Sequence, residues 1–111
     1  VLRSFSRASS ERNDLEAQLR ALMLFDEQDY LAANPDIGDA VQRGLFRDGF
    51  SHFRAHGLRE GRFPGYHGFD WDDYVRANAD LAHFRNEPDP ERAAREHFRT
   101  AGYGEGRRLK P

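Results

Sequence analysis

Cysteine is absent from this chain, which removes disulfide staples and thiolate metal sites from consideration. No apolar run approaches the ~20 residues that a bilayer-spanning helix needs, so no membrane insertion is expected. An excess of one charge is missing too. The 17 basic and 19 acidic residues leave a formal net charge of -2, which argues against nucleic acid as a partner and against a disordered polyanion. The basic residues are nearly all arginine, which suits bidentate pairing with carboxylates, sugar-like groups or phosphates. The chain opens on Val1 with no methionine and no charged-then-apolar leader, so a fragment or processed product of a larger parent chain is expected.

Missing motifs narrow the chemistry further. Nucleophile elbows, phosphate-cradling glycine loops and paired catalytic carboxylates do not occur. Gly102-Tyr103-Gly104-Glu105-Gly106 is glycine-rich, but it follows a helical pattern where a dinucleotide fingerprint would follow a strand. His52 and His56 have the spacing of two zinc ligands on one helix face, yet no HExxH pattern is present and the second copy replaces His56 by Ala101. Asp70, Asp72 and Asp73 invite a calcium reading, but Val75 and Leu81 stand where an EF-hand loop needs glycine and glutamate. No enzyme, cofactor or metal is therefore expected.

What the chain does contain is one passage written twice. Phe25 to Asp36 recurs 44 residues later as Phe69 to Asp80, with seven of twelve positions identical. His52 to Arg62 recurs 45 residues later as His97 to Arg107, with seven of eleven identical. Tandem modules of this size bury apolar faces against one another and usually bind or scaffold. At 111 residues the chain is one small domain or a matched pair of subdomains.

The local signals are helical throughout, and no segment alternates apolar and polar residues over a useful length. Residues 1 to 10 read as a flexible lead-in, after which Ser10 can cap a helix carrying Leu15, Leu19, Leu22 and Met23 at helical spacing. Each copy then opens on a hydrophobic staple with an acidic cap: Phe25, Asp26, Asp29 and Tyr30, repeated as Phe69, Asp70, Asp73 and Tyr74. Asn34 and Asn78 are expected to close the first helix in a left-handed conformation. A second short helix carries Ile37, Ala40 and Val41 and stops at Gly44; its counterpart carries Leu81 and Phe84. The third runs from Asp48 to His56, closed by Gly57, with Phe50 and Phe53 inward, and in copy two from Asp89 and Pro90 to Gly102. The expected fold is all-α: two tandem three-helix repeats, 25–65 and 66–111, packed together as a closed pair behind an N-terminal segment, 1–24.

Two groups of residues could carry recognition. Glu60-Gly61-Arg62 and Glu105-Gly106-Arg107 either satisfy backbone groups past a helix end or present Arg62 and Arg107 as ligand clamps. The junction from Phe63 to Gly68 breaks the repeat symmetry with Tyr66 and His67 and precedes Trp71, whose counterpart is Glu27. Tyr66, Trp71 and Tyr103 either fill a core or stack on a sugar ring beside Arg and Asp groups.

The words Tyr30-Leu31-Ala32-Ala33-Asn34-Pro35-Asp36 and His52-Phe53, then Leu58-Arg59-Glu60-Gly61-Arg62, resemble a short bacterial helical repeat appended to surface-polysaccharide glycosyltransferases and to large secreted proteins. The resemblance covers about residues 25 to 111. Copy two departs from it with Ala79 for proline and Gly104 before its glutamate. It implies a non-catalytic appendage that binds carbohydrate or targets its parent chain to the bacterial cell envelope or extracellular surface. On that reading a surface glycan is the partner, held by Arg62, Tyr66, His67, Trp71, Tyr103 and Arg107. The competing expectation is a protein-interaction or homo-oligomerisation module that uses Leu15, Leu19 and Leu22.

Overall fold

A computed structural model describes the backbone of residues 2–111 and the side chains from Arg12 onward. Among the described residues there are helices and connecting loops but no strand, so the chain is all-α. No helix among them is long and apolar enough to cross a membrane. The chain divides into two compact units between His67 and Gly68.

The first helix, α1, runs Leu2–Leu24, so it starts well ahead of Ser10 and residues 2–10 are helical where a lead-in was expected. The sequence allows this, because no glycine or proline occurs within residues 2–24. Within α1 only Ala21 and Leu24 are buried among the described side chains.

Unit 1 then builds three elements, each in contact with the other two. Helix α2 spans Glu27–Ala33, with the Asp26 side chain accepting a hydrogen bond from the Asp29 amide and the Phe25 and Tyr30 rings 5.4 Å apart as the staple requires. Helix α3 spans Pro35–Gln42, with Pro35 in its first turn, and its chain turns away at Gly44. The third element starts as α4, Gly49–His52, capped by Asp48. It widens to a π-turn over Phe53–Gly57 and ends as one more α-turn, α5, Leu58–Glu60. Gly57 is thus not the stop. The stop is Gly61, whose φ of 72° only glycine adopts without strain.

Unit 2 repeats the order. Helix α6 spans Trp71–Ala77 and is capped by Asp70, with Phe69 and Tyr74 5.2 Å apart. A 3-10 segment, Ala79–Asn86, replaces the α-helix of the first unit and buries Leu81. Helix α7, Pro90–His97, is capped by Asp89 and passes into a π-turn over Phe98–Gly102.

Asn34 and Asn78 are not left-handed, for no residue other than glycine has positive φ among the described residues. Their side chains close the helices instead. Asn34 Nδ2 donates to the carbonyls of Tyr30 and Phe63, and Asn78 Nδ2 to those of Tyr74 and Arg108. Each asparagine therefore satisfies a carbonyl of the first helix and fastens the C-terminal tail to the same hinge. Phe53 and Phe98 are fully buried in their units, whereas Phe50 is 38% exposed, edge-on to Phe25 and under the Arg54 guanidinium.

Candidate functional site

The centre of each unit is a tyrosine that has no contact with water. Tyr30 and Tyr74 are both 0% exposed, and each is delivered by the capped, stapled helix that carries it. A buried hydroxyl without a partner costs about 1–3 kcal/mol, so both must be answered. Tyr30 Oη lies 2.8 Å from His52 Nδ1, and Tyr74 Oη lies 2.8 Å from His97 Nδ1. Glu60 Oε1 stands 4.0 Å from His52 Nε2, which favours the proton there and leaves Nδ1 to accept from the hydroxyl. The histidine rings also pack edge-on to Phe46 and Phe84.

Gly57 and Gly102 make room for these hydroxyls. A Cβ on Gly57 would collide with Tyr30 Oη, and one on Gly102 with Tyr74 Oη. The π-turn sets this glycine where the tyrosine tip arrives, with Leu58 and Tyr103 donating their amides to the carbonyls of Phe53 and Phe98 five residues back. His56, one turn beyond His52, is exposed, with its ring 5.5 Å from that of His52 and its Nδ1 3.5 Å from the Arg59 guanidinium.

Around the buried pair runs an exposed clasp. Arg62 forks onto Asp36 with two bonds of 2.9 Å, and its Nε donates to Glu60 at 2.7 Å. A third contact reaches Asn34 Oδ1 at 3.2 Å. Arg107 reproduces this with Asp80 at 2.7 Å, Glu105 at 2.8 Å and Asn78 at 3.4 Å. The Arg62 hydrogen bond holds the Asp36 and Glu60 carboxyls below their ordinary range, and Arg107 does the same to Asp80. Exposed pairs of this kind add little to stability, so the clasp matters more for where it ties the chain than for its strength. It joins the tail after the third element to the hinge between the first two. Both arginines are therefore occupied by their own units, which favours the structural reading over the ligand clamp.

The other expected contacts are scattered. Tyr66 is half-buried against Phe63, 4.9 Å between ring centres, with its amide donating to Asp29. His67 is exposed, and its amide donates to the Leu24 carbonyl. These two and Arg62 belong to unit 1, while Trp71, Tyr103 and Arg107 belong to unit 2. Tyr103 is half-buried with its ring edge to Phe98. Trp71 is half-buried under the Arg85 guanidinium, 5.5 Å from the ring centre, and Arg85 is fixed by Asp72 at 2.7 Å.

Asp70, Asp72 and Asp73 do converge, but each has other work. Asp70 caps α6, Asp72 holds Arg85, and Asp73 takes Lys110 at 2.8 Å.

Sequence reasoning missed the roles of Tyr30, Tyr74, Gly57, Gly102 and Glu27. The first four were marked by identity between the copies. Glu27 was marked by the opposite: its carboxylate caps the Gly49 and Phe50 amides at the start of α4, while in unit 2 the third element begins a turn earlier and Trp71 stands in its place.

Two outcomes test the centre. Gly57→Ala should cost about 1–3 kcal/mol by overpacking, and Tyr30→Phe should relieve part of that cost in the double variant. Denaturant titration of the four proteins measures it, and strict additivity would refute the close approach. Burial, reinforced by Arg62 and Arg107, lowers the His52 and His97 pKa values, so the folded state holds them neutral while the unfolded state protonates near 6.5. Stability should then fall as pH drops below about 6.5, with the clasp carboxylates adding to the loss below about 4. The variant His52→Asn/His97→Asn, whose amides accept the hydroxyl bonds without titrating, should flatten the curve between about pH 7 and 5.

No family model matches the chain, and no curated protein or solved structure is significantly similar to it, so its function is read from this geometry and from the motifs.

Proposed function

We propose that the chain is a non-catalytic helical module by which a larger bacterial protein assembles with other chains, and that α1 is the contact helix. The observation that carries this reading is the surface of α1. Leu15 and Leu19 are each 61% exposed, Met23 73% and Leu22 40%. Scattered exposed leucines need no explanation, but four large apolar side chains spaced 4, 3 and 1 apart share one helix face. Full burial of each would contribute about 1.5–3 kcal/mol. The non-catalytic part is supported by His52, His97, Arg62, Arg107, Asp36 and Asp80, whose side chains bond to groups of their own units. The resemblance to appended bacterial repeats supports a larger parent chain at the cell envelope.

A glycan-binding role is the second reading, favoured by Trp71, which keeps part of its ring open beside Arg85 and Asp72. An aromatic face flanked by fixed hydrogen-bonding groups suits a sugar ring. The loss of Arg62 and Arg107 to the clasps leaves Trp71 as its main support.

Light scattering of the purified chain over a concentration series should show a mass that rises above the monomer. Leu15→Lys/Leu19→Lys should return it to monomer, with helicity lost from α1 only and the unfolding of the two units unchanged. A wild-type mass fixed at one copy would overturn the assembly reading. A screen against capsule, lipopolysaccharide and exopolysaccharide tests the second reading. It holds if binding is selective and is lost in a folded Trp71→Ala protein, and it fails if no sample binds.

A further inference from the structure

Resting on the reading of α1 as a contact helix, we infer that its partner is α1 of a second copy, the two forming a parallel, in-register, two-stranded coiled coil through Leu15, Leu19 and Leu22. The helix has 23 residues, about 35 Å at 1.5 Å per residue. Every residue from Arg12 to Leu19 is exposed, so this length receives no cover from its own unit. Most helical stability in proteins comes from packing of an amphipathic face, which this stretch does not receive from its own unit.

The spacing of the stripe specifies what covers it. Leu15, Leu19 and Leu22 alternate by 4 and 3, the step of a coiled-coil seam, and the sequence continues the alternation upstream at Arg12, Ala8 and Phe5. A seam of this period fits another helix of the same period. The helices of the two units commit their apolar faces to their own cores, with Tyr30, Ile37 and Phe53 buried in one and Tyr74, Leu81 and Phe98 in the other. The helix on hand with an unburied matching stripe is α1 itself.

Orientation follows from the layers. Parallel and in register, Leu15, Leu19 and Leu22 each meet their own copy, giving three all-leucine layers and a single arginine layer at Arg12. Antiparallel, with Leu15 opposite Leu19, two layers are all leucine and Arg12 faces Leu22 in two others. The parallel arrangement buries more apolar surface against apolar surface. The arginine layer also sets the number of strands, because a two-stranded coil lets a long charged side chain leave along its open edge, whereas a three- or four-stranded core would enclose it.

The absence of cysteine makes a direct test available. In Leu22→Cys the parallel register sets both introduced thiols in one layer, at a separation a disulfide can close after a small adjustment. Mild oxidation should yield a covalent dimer about tenfold faster or more than for Ala17→Cys, on the opposite side of α1. Leu22→Cys in an Arg12→Leu background should crosslink too, and Arg12→Leu alone should tighten association about tenfold or more by completing a fourth apolar layer. Wild-type mass should level off at two copies. A dimer whose Leu22→Cys variant does not crosslink in either background, or a mass plateau above two copies, overturns this inference and leaves the wider assembly reading standing. A wild type that stays monomeric removes both.

Discussion

A phenol hydroxyl with no access to water governs each unit. Tyr30 and Tyr74 bring large apolar rings to the core, and with them an oxygen that demands a partner. One histidine nitrogen supplies the hydrogen bond, and one missing Cβ supplies the space. Both lie on the same third element, five residues apart from His52 to Gly57 and from His97 to Gly102. Five residues in an ordinary α-helix would turn through more than a full circle and carry the glycine off the histidine's face. The π-turn widens the helix over this stretch and keeps both on the tyrosine. The local departure from α geometry is thus tied to one side-chain contact, and it recurs where the contact recurs.

The clasp and the centre do different work. The centre fixes the first element against the third through burial, while the arginine clasp fixes the tail to the hinge at the surface. Arg62 and Arg107 therefore anchor the tail of each unit, with Gly61 and Gly106 turning the chain so that the guanidinium reaches back. The asparagines bond to both sides of that joint. The two units differ where the sequence differs: Glu27 caps the short α4, whereas α7 extends a turn further and Trp71 meets Arg85.

Much of this was legible in the sequence because capping and stapling are local. Phe25, Asp26 and Tyr30 announce a helix start within six residues, and their echo at Phe69, Asp70 and Tyr74 announces a second. The all-α class followed from those signals and from the lack of alternation. What stayed hidden was long-range. Gly57 reads as a helix stop because glycine usually is one; its role depends on a tyrosine 27 residues earlier in the chain, and no local rule connects them. Asn34 likewise reads as a left-handed cap until its amide is seen bonding the tail. Arg62 could be read as a clamp for a ligand or for its own chain, and the position of Asp36 favours the second. The identity of Tyr, Asn, Asp, His, Gly, Glu and Arg across the copies was the available sign that they form one set, since the residues between them drift.

That drift has a use. The two echoes are offset by 44 and 45 residues, so one residue has been gained between the first set and the second. The same stretch is α-helical in Pro35–Gln42 and 3-10 in Ala79–Asn86, and it is followed by a turn of different length in each unit. Neither the hydroxyl bond nor the clasp draws a residue from residues 43–45, and the ring contact to His52 begins only at Phe46. Each unit is therefore a closed frame with one replaceable side, and a foreign peptide spliced between Gly44 and Leu45 would be displayed on it with both of its ends held.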